Sequence, residues 1–124
     1  MPAVYICDAV RTPMGRRRGG LANVHPADLG AAVLSRLVDR AGFDPAVVDD
    51  VIFGCISQIG AQAFNVARTA WLSAGLPESV PAVTIDRQCG SSQQALHFAA
   101  QGILAGSYDA VSYTHLTLPT SDLV

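Results

Sequence analysis

Three short apolar runs alternate with three helical patterns, and this alternation restricts the fold more than any other feature of the chain. The runs are Val4 to Val10, Val51 to Phe53 and Val83 to Ile85. The first is continuous and bounded by Arg11-Thr12-Pro13. It reads as a strand buried on both faces, at the centre of a parallel sheet, with Asp8 inside it in need of a partner. Between the first two runs, Leu29, Val33, Leu37, Val38 and Ala41 share one helical face. Pro26 suits the first position of that helix and Gly42 its end. Asp44 before Pro45 can cap a brief helical turn. A second helix is capped by Asn65 and stopped by Gly75 and Pro77, with Trp71 as a core or interface residue. In the third, Leu96, Ala99, Ala100 and Ile103 recur at helical spacing before Gly106. The pattern predicts strands over 3–10, 50–54 and 82–87 and helices over 27–41, 65–74 and 89–105. Short strand–helix connections imply parallel pairing with right-handed crossovers, an α/β fold.

The chain has 124 residues, half of them hydrophobic and 15% charged, which suits one modest domain and argues against a disordered chain. The net charge of −2 gives no electrostatic case for nucleic acid or an anionic membrane. Arg16-Arg17-Arg18 reads as a solvated loop, phosphate contact being the less common use of such a run. Cys7, Cys55 and Cys89 are odd in number and lack C-x-x-C spacing. Metal binding and a disulfide framework are therefore not expected, and a reducing cytoplasm is. No signal peptide or membrane span is expected from the N-terminal pattern. Cys55 reads as a packing residue.

The stretch Val83 to Leu96 runs from strand to helix, and Cys89 lies at the junction. Two readings fit a Cys there. It is a small buried residue, as free Cys often is, or a nucleophile at a helix start whose free N–H groups and partial positive charge favour an anion. Within it, Thr84-Ile85-Asp86-Arg87-Gln88-Cys89-Gly90-Ser91-Ser92-Gln93-Gln94-Ala95 closely resembles the nucleophile motif of the thiolase family. Many members have Asn at the position of Asp86 and Gly at that of Ser92. Arg11-Thr12-Pro13-Met14-Gly15 resembles the segment after the first strand of thiolases. The resemblance implies a thiolase-like fold, with this chain as the first part of its N-terminal βαβαβα half and a mostly parallel sheet. It covers Met1 to about Ala110, so residues 1–110 are expected to be a truncated thiolase N-terminal domain. Val111 to Thr120 resembles no thiolase segment; it resembles the in-frame translation of a transposase adapter from a sequencing library, the alternative being a genuine divergent terminus. Residues 111–124 are accordingly expected to be a non-native tail, forming at best a strand with one polar face.

The resemblance also implies the chemistry. Thiolases pass acyl groups between coenzyme A and an active-site Cys, by cleaving a 3-ketoacyl-CoA or by forming acetoacetyl-CoA from two acetyl-CoA molecules. Cys89 would be the acyl-thioester nucleophile, and its backbone N–H part of the oxyanion hole. No cofactor-binding residue or metal ligand is assigned, because coenzyme A thioesters are substrates. The family is homo-oligomeric, as dimers or tetramers. Its His base and second Cys lie in Gly-His-Pro and Cys-x-Gly segments, and neither segment occurs in this sequence. His97 stands eight residues beyond Cys89, about 12 Å along a helix, too far to be its direct base. No role is assigned to His25 or His115. Two rival readings remain: a β-ketoacyl synthase-like condensing enzyme, and a non-catalytic product of a truncated gene.

Overall fold

Val51, Ile52 and Phe53 are each at most 2% exposed, and they form the centre of the molecule. The computed structural model describes residues 3–115. Among them, β1 (Asp50–Gly54) lies between β2 (Ala82–Ile85) and β3 (Val111–His115), parallel to both. The register pairs Ile52 with Val83 on one side and with Tyr113 on the other. Helices α1 (Pro26–Ala41), α2 (Val66–Ser73) and α3 (Ser91–Leu104) complete the order αβαβαβ.

Successive residues of a strand point to opposite faces, so β1 divides the core in two. Val51, Phe53 and Cys55 pack with Leu34 of α1 and with Val66, Ala67, Ala70 and Trp71 of α2. Ile52 packs with Ala95 and Ala99 of α3 on the other face. The result is three layers, helix–sheet–helix. Full burial of large side chains such as Phe53 and Leu34 contributes roughly 1.5–3 kcal/mol each. Trp71 is fully buried, and its indole N–H donates to the Pro77 carbonyl at 2.7 Å, so the ring is buried without an unpaired donor.

The helix ends follow their sequence signals. Gly42 takes φ +68 after α1, and its N–H donates to the Val38 carbonyl. Asp44 accepts from the Ala46 N–H at 3.0 Å, and Asn65 from the Arg68 N–H at 3.2 Å. His25, to which the sequence assigned no role, caps α1 through Nδ1, accepting from Ala27 at 3.1 Å. The buried face of α1 is Ala27, Gly30, Ala31 and Leu34. Leu29, Val33, Leu37 and Val38 are only half-buried beside it, and Ala41 is exposed. Small residues win because α1 approaches closely: a Cβ on Gly30 would stand 2.9 Å from that of Ala70 and 3.2 Å from the Phe53 ring.

The first run departs from expectation. Residues 3–10 form no strand, and the central strand is Asp50–Gly54. A strand needs a backbone partner, and among the described residues none pairs with this segment. Tyr5 and Ile6 are 78% and 64% exposed. Asp8 finds its partner at the surface, 3.3 Å from the Nε of Arg40.

The third strand of the sheet comes instead from residues 111–115, parallel to β1. Asp49 and Asp50 guide it there. The Asp49 carboxylate accepts from the N–H groups of Asp109 and Ala110 at 2.6 and 3.1 Å. Tyr108 donates its hydroxyl to Asp50 at 2.8 Å, which raises the Tyr108 pKa. The Ser112 side chain is 8% exposed, and its hydroxyl has no hydrogen-bond partner. Residues 116–124 of the expected tail lie outside the described residues.

Ser112→Ala should raise the urea midpoint, by about 1 kcal/mol in stability, because it removes a buried hydroxyl that gains no bond. The two amide bonds hold the Asp49 carboxyl below its ordinary 3.8. Its contribution is therefore present at neutral pH and lost as pH falls below about 4 through the folded value. Asp49→Asn should flatten that acid loss when urea midpoints are compared at about pH 6 and about pH 3.

Candidate active site

Parallel strands aim their C-terminal ends at one edge of the sheet, where open α/β folds place their sites. Here β1 and β2 end side by side, with the Cys55 N–H donating to the Ile85 carbonyl at 2.9 Å. Beyond Ile85, five residues carry the chain from β2 to α3. Cys89 is one of them and is exposed; the buried reading of this Cys does not hold. Cys55 at the same edge is buried as expected, and burial pushes its thiol pKa up against the opposing hydrogen bond from Ser57. A thiol in that state is inert. Cys7 is free and exposed on the segment 3–10.

The connection is a tight turn. Asp86 accepts from the Gln88 N–H at 2.8 Å, a turn closed by a side-chain oxygen. Asn would offer the same oxygen, so the turn needs the side-chain acceptor of Asp86 and not its charge. Gln88 has φ +49, on the left-handed side that non-glycine residues seldom occupy. Gly90 then donates to the Arg87 carbonyl at 3.0 Å and Ser91 to the Gln88 carbonyl at 3.1 Å. These two N–H groups, free at an idealised helix start, are thus used within the turn. Helix α3 begins at Ser91 with Gly90 as its cap, so Cys89 stands just ahead of the helix.

Ser91 is fully buried, and its hydroxyl makes two bonds. It accepts from the Arg87 N–H at 2.8 Å and donates to the Gln88 carbonyl at 2.6 Å. The Arg87 guanidinium reaches the side-chain oxygen of Gln94, one turn into α3. On the far side, Gly54 closes the contact between sheet and helix. A Cβ there would lie 2.6 Å from the Ser91 carbonyl carbon and from the Ser92 nitrogen.

A second set of bonds ties α2 to β2. Asn65 donates to the Ala82 carbonyl and accepts from the Thr84 hydroxyl, both at 2.8 Å; Thr84 in turn accepts from the Ala67 N–H. Arg68 reaches the carbonyls of Val80 and Glu78. Sequence reasoning missed Ser91, Gly54 and Thr84 as supports. A Gly closing a strand was the available signal for Gly54. His97 lies exposed on α3.

The thiolase N-terminal domain family matches residues 4–113. The steroid 3-ketoacyl-CoA thiolase FadA6 of Mycobacterium tuberculosis is 58% identical over 111 residues, covering 90% of this chain and 27% of that protein. A 3-ketoacyl-CoA thiolase of Pseudoalteromonas translucida is 53% identical over 106 residues, covering 84% of this chain and 27% of its own length. Among solved structures, the Bacillus anthracis acetyl-CoA acetyltransferase superposes with a TM-score of 0.79 at 45% identity, over 86% of this chain and 27% of that one. The chain therefore spans about a quarter of the length of these relatives.

Gly54→Ala should push the start of α3 off the sheet and cost about 1–3 kcal/mol. Thermal unfolding followed by circular dichroism checks it.

Proposed function

The chain belongs to the thiolase family, and on that premise we propose that it is the part of an acyltransferase that carries the acyl group on Cys89. The observation behind this reading is the exposure of Cys89 on a held turn between β2 and α3, within the motif Thr84 to Ala95. In the degradative direction the Cys89 thiolate attacks the 3-keto carbonyl of a 3-ketoacyl-CoA. The carbon–carbon bond breaks, acetyl-CoA leaves after taking a proton, and the acyl group remains as a thioester. Coenzyme A then takes it, which gives ping-pong kinetics. The Cys89 backbone N–H supplies part of the oxyanion hole. The names of the two 3-ketoacyl-CoA thiolases support this direction over acetoacetyl-CoA synthesis. Coenzyme A thioesters are substrates here, and no cofactor or metal takes part.

The same reading places the protein in the cytoplasm as a homo-oligomer, without nucleic acid or membrane partners. Among the described residues, no helix is long and apolar enough to cross a membrane. Residues 1–110 are the thiolase portion in this reading, and 111–124 a non-native tail. The unpartnered Ser112 hydroxyl supports that division, while the family match runs three residues past it, to residue 113.

Two measurements test the proposal. The 124-residue chain alone should show no cleavage of acetoacetyl-CoA, since the Gly-His-Pro and Cys-x-Gly segments are not in its sequence. Turnover within about tenfold of a full-length thiolase, abolished by Cys89→Ala, would overturn this part of it. Residues 1–110 grafted in place of the matching segment of the Mycobacterium tuberculosis relative should retain 3-ketoacyl-CoA cleavage. In that graft Cys89→Ala should lower kcat by roughly 10³-fold or more. A graft unaffected by Cys89→Ala would sink the assignment of the nucleophile.

A further inference from the structure

We propose that Ser91 is a positioning residue for Cys89, its buried hydroxyl fixing the peptide that joins Gln88 to Cys89; this rests on Cys89 being the nucleophile. The Gln88 carbonyl accepts twice from one residue, from the Ser91 hydroxyl at 2.6 Å and from the Ser91 N–H at 3.1 Å. A trans peptide is planar, with its C=O and N–H pointing in opposite directions. None of the described peptides is cis. Drawing the Gln88 oxygen inward to Ser91 therefore turns the Cys89 N–H away from it, out of the turn. That N–H is the group that would meet an oxyanion beside the thiol. One buried hydroxyl thus aims the proposed oxyanion donor and fixes the residue that bears the sulfur.

The same hydroxyl secures the other side of the turn, accepting from the Arg87 N–H at 2.8 Å. Between the two bonds sits Gln88 with φ +49, a conformation that relaxes unless its surroundings hold it. Gln88 is exposed. Asp86, the Gly90 N–H on the Arg87 carbonyl and Ser91 hold it, and of these Ser91 is the one that grips the turn with a fully buried side chain. Gly54 keeps Ser91 in place, because the helix start rests directly on the strand there.

The test uses Cys7 as an internal standard, since it is free and exposed in the same chain. Ser91→Ala should lower the Cys89-to-Cys7 ratio of iodoacetamide labelling about threefold, read by peptide mass spectrometry at unchanged far-UV circular dichroism. It should also speed hydrogen exchange at the Gly90 and Ser91 amides about tenfold. Gln88→Gly added to Ser91→Ala should return the ratio to within about twofold of wild type, because glycine takes positive φ without the clip. A merely structural loss would not be rescued from an exposed position. Should Ser91→Ala fail to fold, Gln88→Val tests the same turn, since a β-branched residue resists positive φ yet keeps the N–H that Asp86 accepts, and the same fall is expected. An unchanged ratio in Ser91→Ala or Gln88→Val, or a fall that Gln88→Gly does not recover, overturns the proposal. A wild-type ratio at or below one, with the two amides still released by Ser91→Ala, upholds the hold of Ser91 on the turn and counts against Cys89 as nucleophile.

Discussion

The burial of β1 on both faces is the constraint on which the rest depends. A parallel strand between two parallel neighbours must be apolar on each side, and Val51, Ile52 and Phe53 meet that condition. Phe53 sets the distance to α1 and α2, which is why Gly30 and Ala70 face it. Gly54 sets the distance to α3 on the opposite face. One five-residue strand therefore builds the core and seats the helix that begins just after Cys89. Rigid strands carry an exposed turn, and Cys89 lies on it.

Much of this architecture was legible in the sequence because it rests on local signals. The strand at 50–54, the caps Asp44 and Asn65 and the stop at Gly42 each arise from residue type and spacing. Segment 3–10 was misread for a physical reason. Its apolar pattern reports strand propensity, while a strand exists only with a partner on its backbone. The buried face of α1 was misplaced by weighting side-chain size; close helix contact selects Ala27, Gly30 and Ala31 over the longer Leu and Val beside them. At the candidate site, the place of Cys89 between strand and helix was legible in the sequence, and the structure finds it exposed there. The clip beneath it was not, because a Ser in such a run looks like any polar turn residue until its burial is known.

Strand β3 shows how backbone geometry and side-chain chemistry can part company. Asp49, Asp50 and Tyr108 deliver the chain to the edge of β1 with well-formed bonds, all made before Val111. Residues 111–115 then pair in register whatever their side chains, because the ladder is made by the main chain. Ser112 occupies a buried position suited to an apolar residue. The ladder admits this sequence at residue 112, and the core beneath it does not reward it.

The three-strand sheet has a further consequence. Among the described residues, β2 and β3 are both edges, each with one row of backbone donors and acceptors turned away from the sheet. Such rows template the addition of another extended chain. The segment 3–10 holds Tyr5 and Ile6 in solvent and belongs to no strand. Among the described residues the fold thus leaves an open ladder on each side and, apart from both, an apolar segment that pairs with neither.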